Sequence, residues 1–172
     1  MLPIMLRRSP WLLVIGAMLL CSDGFGDDTP DGKKSLGGSG EMIQLDLPEG
    51  DQTIGGIQIH GARYGTSTPP PEMFLIYVMN NDRTKIVATK MAPYSLFERG
   101  PEKWVSVKFD EPVEVPKDGW IVVDFRAGRT KGVYVSFDSD SDGTRSMAGL
   151  PGTEATKPDF KGDWMIRPLA VN

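Results

Sequence analysis

The chain has 172 residues, a formal net charge of −4, one histidine and one cysteine. From position 27 onward it carries 17 Lys and Arg against 22 Asp and Glu, an acidic balance that excludes the clustered positive charge needed for non-specific nucleic-acid binding. A lone cysteine excludes an internal disulfide, and a lone histidine excludes a His-rich zinc site.

At the amino end, Arg7 and Arg8 precede the apolar run 11–20, which ends beside Cys21. A short basic segment followed by an apolar run too brief to span a bilayer is the pattern of a secretory signal. The expectation is a signal peptide at 1–26 and a secreted or periplasmic product with no transmembrane span. Acylation of Cys21 would make the product a lipoprotein, but Leu20 stands where a small residue is wanted. The segment 27–40 (DDTPDGKKSLGGSG) is rich in Gly, Ser, Asp and Lys, and is expected to be a flexible linker. Residues 41–172 then form a single domain of ordinary size.

Within that domain the apolar residues alternate in short runs separated by Gly, Pro, Asn and Asp. Strands are expected near 41–47, 54–62, 73–79, 85–90, 103–109, 112–115, 119–126, 132–138 and 163–169. Turns fall at Pro48-Glu49-Gly50, Asn80-Asn81-Asp82, Lys117-Asp118-Gly119 and Gly128-Arg129-Thr130. Asn81 and Asp82 suit a tight hairpin because both tolerate positive φ. The predicted fold is all-β: a two-layer antiparallel β-sandwich, jelly-roll-like.

Alternation also sorts the two faces. Ile57, Ile59, Val105, Val107, Val133 and Val135 belong to the core, with Ile121, Val123 and Phe125. Gln58, His60, Trp104, Trp120, Asp124, Arg126, Tyr134 and Asp138 are then left facing outward. Aromatic rings among charged groups can hold a sugar ring or a flat protein surface. The strand end His60-Gly61-Ala62-Arg63-Tyr64 adds an imidazole, a guanidinium and a phenol able to grip a polar ligand. The candidate ligand-binding residues are therefore His60, Arg63, Tyr64, Trp120, Asp124, Arg126 and Tyr134. Their bland alternative is cross-sheet ion pairing and core capping.

Motifs for catalysis are scarce. No G-x-S-x-G elbow, phosphate-cradling glycine loop or dinucleotide fingerprint occurs. A hydrolase centred on His60 or on Asp124 and Asp138 is the competing enzymatic reading. The string FDSDSDGT at 137–144 places Asp138, Asp140 and Asp142 on alternate residues before Gly143, like the front half of an EF-hand loop. Position twelve of such a loop would be Gly149, so the bidentate Glu is missing and only weak Ca2+ binding is expected.

Several strings together, HGARYG at 60–65, PYSLFERG at 93–100, KGVYV at 131–135, GLPG at 149–152 and GDWMIR at 162–167, resemble an uncharacterised β-sandwich domain of exported bacterial proteins. The resemblance covers about 41–167 and implies a module that stands alone behind a signal or is appended to hydrolases. It brings no assigned activity and no catalytic residue. The functional expectation is a non-catalytic extracytoplasmic module binding a glycan or a protein partner, with a purely structural envelope role as a further alternative.

Overall fold

A computed structural model of the chain describes residues 29–47 and 52–171. The expected signal peptide, its Cys21 and the whole Pro48-Glu49-Gly50 turn lie outside the described residues. Among these residues eleven strands form two antiparallel sheets: β1 Gly32–Lys34, β2 Glu41–Gln44, β3 Thr53–Gly65, β4 Met73–Met79, β5 Ile86–Pro93, β6 Lys103–Glu114, β7 Trp120–Asp124, β8 Lys131–Asp138, β9 Ser146–Ala148, β10 Asp163–Trp164 and β11 Ile166–Leu169. Among the described residues the only helical piece is a 3-10 turn, Tyr94–Leu96.

Sheet I joins β1, β8, β3, β6, β10 and β11; sheet II runs β5-β4-β7-β2-β9. The chain passes back and forth between the layers, as the jelly-roll-like sandwich predicted from the alternation requires. Branched residues of the inner faces meet in one core: Ile57, Ile59, Val105, Val107, Val133 and Val135 from sheet I, and Ile43, Ile76, Val78, Ile121 and Val123 from sheet II. An aromatic group closes one end, with Phe74 lying 5.1 Å from Phe125 and 5.8 Å from both Tyr94 and Phe97.

Sheet I contains a fork. Gly61 pairs with Lys103 on one side and Val135 on the other, so β6 and β8 flank β3 at this level. Below it β8 and β3 separate, and the β10–β11 segment enters between them, pairing first with β8 and then with β3. Met165 sits at the crossing. Its N–H donates to the Ser136 carbonyl and its carbonyl accepts from the His60 N–H, both at 2.9 Å. One residue thus satisfies both diverging strands, which buried backbone groups require.

Four details differ from the sequence-based expectation. The 27–40 segment is not wholly a linker, since β1 pairs Gly32, Lys33 and Lys34 with Phe137, Ser136 and Val135. Ion pairs of Lys33 with Glu102 and of Lys34 with Asp159 offset its charge, and Leu36 packs on the core. The runs expected at 103–109 and 112–115 are one strand, β6, because Pro112 lies on a sheet edge where no ladder N–H is demanded. In the 80–85 turn the positive φ (62°) falls on Arg83, while Asp82 accepts from the N–H and hydroxyl of Thr84. Finally β9, too short to show alternation, was not anticipated.

If β1 is an integral strand, removing residues up to Ser35 exposes the Phe137 flank and lowers the melting temperature by several degrees. An unchanged thermal unfolding curve would mean that the segment merely trails along the sheet.

Candidate functional site

Cross-strand register builds the outward face of sheet I as a series of rungs. From one end these are Lys108–Gly56–Leu169, then Ser106–Gln58–Arg167, then Trp104–His60, then Ala62–Tyr134, then Tyr64–Gly132. Spanning eight residues of β3 at about 3.3 Å each, the row is roughly 26 Å long.

Each rung is tied to the next. Gln58 Nε2 donates to Ser106 Oγ at 3.1 Å and Gln58 Oε1 accepts from Arg167 Nε at 2.9 Å. The Arg167 guanidinium lies 4.0 Å above the Trp104 ring, a stacked cation–π contact. Trp104 in turn meets His60 edge-on at 5.2 Å. At the far end Tyr64 and Tyr134 stand 4.6 Å apart. Tyr64 lies across the bare backbone of Gly132, where a Cβ would come within 2.2 Å of its hydroxyl. Its O–H donates to the Gly128 carbonyl at 3.1 Å, leaving Tyr134 as the exposed ring (38% accessible). Lys33 sits 5.7 Å from that ring and pairs with Glu102, and this hydrogen bond, with His60 adding to it, holds the Glu102 carboxyl below its usual range.

His60 is buried, and its Nδ1 meets Ser136 Oγ at 2.8 Å across the mouth of the fork. Ser136 is fully buried, so this Ser–His contact is closed to substrate. Arg63 shares its register with Val133 and points inward; its guanidinium donates to the carbonyls of Thr66 (2.5 Å) and Ser67 (2.9 Å), clamping the loop after β3.

Of the other three candidates, Trp120 and Asp124 lie on β7 of sheet II and Arg126 just beyond its end. Trp120 is buried against Met42, Met79 and Val122, and its Nε1 donates to the Asn81 carbonyl at 2.9 Å. Asp124 accepts from the Arg126 N–H at 2.8 Å, and Arg126 takes a positive φ of 45° with its side chain exposed. Of the seven expected residues, His60, Tyr64 and Tyr134 therefore share one outward face. Trp120, Asp124 and Arg126 do not join them, because β7 belongs to the opposite layer.

The acidic loop also differs from expectation. The carboxylates that gather within 4.8 Å are those of Asp31, Asp138 and Asp140; Asp142 instead accepts from the N–H (2.9 Å) and hydroxyl (2.6 Å) of Thr144. Asp138 is buried and accepts from the Asp140 N–H, while hydrogen bonds from the hydroxyl and N–H of Ser139 lower the Asp31 pKa. Oxygen donors at this spacing are able to take a hard cation such as Ca2+.

A feature without any motif is Glu41. It shares its register with Val123, 1% exposed, with one carboxyl oxygen accepting from the Leu36 N–H and the other without a hydrogen bond. Burial pushes its pKa up to about 8. Nearby Tyr94, whose hydroxyl also lacks a partner, is raised by burial to about 12.

Compared with protein-family models, with curated proteins and with solved structures, the chain has no significant match.

Two outcomes follow from this geometry. The folded Glu41 holds its proton up to about pH 8, whereas the unfolded one loses it near 4.5. Its contribution is fully present below pH 4.5 and is lost as pH rises through 8, with a slope of up to about 1.4 kcal/mol per pH unit. Glu41→Gln should flatten that slope in urea unfolding between pH 5 and 8, and an unaltered slope would contradict the buried proton. His60→Ala should cost ~1–3 kcal/mol, because it orphans Ser136 at the fork. Full stability of that variant would remove the bracing role.

Proposed function

We propose that this protein is a non-catalytic extracytoplasmic binding module whose ligand face is the outer surface of sheet I, with a glycan as its ligand. The carrying observation is the exposed Tyr134 ring, backed by Tyr64 and flanked by the Lys33–Glu102 pair and the Trp104–Arg167 stack on one face. Sugar rings present apolar C–H faces ringed by hydroxyls, so an aromatic plate bordered by fixed charged donors and acceptors fits them. Support for a binding role over a hydrolytic one comes from the state of the polar residues. His60 is enclosed with Ser136, and Asp124 accepts a backbone N–H rather than standing free in a cleft. The basic, apolar start of the chain supports export.

Glycan-array screening of the purified protein, followed by calorimetric titration, tests this. Tyr134→Ala should weaken binding by about tenfold or more while leaving thermal stability nearly unchanged, since this ring is exposed. Trp120→Ala should do the reverse, because Trp120 is a buried packing residue. Equal glycan binding by wild type and Tyr134→Ala, or turnover of a glycan lost on Asp124→Asn, would refute the reading.

A further inference from the structure

The row of rungs ends in a recess of ≈ 550 Å³ lined by Ser106, Lys108 and Phe109 of β6 and by Leu169 and Val171 at the carboxyl end. Here β6 bulges, since Val113 pairs with Ile54 and Lys108 with Gly56, leaving 109–112 outside the ladder, while β3 carries no side chain at 55 or 56. A Cβ at Gly55 would come within 2.9 Å of the Ala170 carbonyl, and one at Gly56 within 2.3 Å of the Val107 carbonyl. Glycine is thus the residue that lets the flanking strands approach here. Bulges of this kind are frequent where a sheet re-aims side chains at a ligand.

The lining has a distinct chemistry. Lys108 is exposed and makes no side-chain hydrogen bond or ion pair among the described residues, unlike Lys33, Lys34, Lys90, Lys103 and Lys131, which each meet a carboxylate. Ser106 accepts from Gln58 Nε2, which leaves its O–H free to donate. Next to this pair of donors stand the apolar Leu169 and Val171. An uncommitted cation and a hydroxyl donor beside an apolar wall match a carboxylate carried on a compact ring with apolar faces.

We propose that the recess is an acid-sugar subsite, in which Lys108 and Ser106 hold the carboxylate of a uronic acid at one end of an oligosaccharide laid along β3 to Tyr134. The inference rests on the glycan reading above and narrows it to acidic glycans. The row of roughly 26 Å has room for about five sugar residues, taking ~5 Å per sugar against the strand rise.

The test uses pentagalacturonate and its fully methyl-esterified form, which share a backbone and differ in charge, with oligomers of alginate and hyaluronan as further acidic glycans. Calorimetric titration of the purified protein at low salt should show the free acid binding about tenfold more tightly than the ester, a gap that shrinks on adding salt. Lys108→Gln should erase that preference and leave ester binding unchanged, whereas Tyr134→Ala should weaken both forms. Equal affinity for acid and ester, or an acid preference that survives Lys108→Gln, overturns the subsite. Binding of neutral glycans alone through Tyr134 overturns it too, while leaving the platform reading intact. Failure of every acidic and neutral glycan to bind overturns both.

Discussion

The outer face of sheet I depends on the backbone of a single residue, Met165. Where β8 and β3 diverge, each would present a row of unpaired backbone groups, which is costly away from water. The β10–β11 segment fills that gap, and Met165 donates to one strand and accepts from the other. His60 and Ser136 bridge the same opening through their side chains. Trp104 meets His60 edge-on, Arg167 stacks on Trp104, and Gln58 holds Arg167. The polar side chains of the face are thus fixed from the fork outward, each restrained by its neighbour rather than by solvent.

The alternation of branched residues made the layers and their core legible before any coordinates, because a period of two leaves each strand one choice of inner face. That logic put Gln58, His60, Trp104 and Tyr134 outward, as found. It could not say which layer a strand joins. Trp120 and Asp124 follow the same outward rule, yet β7 belongs to the other sheet, where the loop around Leu150 and Ala155 covers Trp120, and Arg126 falls past the end of the strand. Parity within a strand is local; membership of a sheet is set by long-range pairing that no short window contains.

Two features lay within reach of the sequence. Glu41 shares its parity with Ile43 and Leu45, so alternation alone aims it at the core. Arg63 likewise shares parity with Ile57 and Ile59, and its inward side chain serves a loop rather than a ligand. Others did not. Asp31 and β1 sit in a polar, glycine-containing segment whose ordering depends on Phe137, Glu102 and Asp159, residues distant in sequence. Composition reports how a segment behaves alone, and β1 is not alone.

Both margins of sheet I have a further consequence. One is β1, three residues long and bearing two lysines; the other is β6, interrupted by Pro112. Short, lysine-bearing or proline-bearing borders are poor templates for a strand from another molecule. Copies of the protein at high concentration should therefore resist zipping together along this layer.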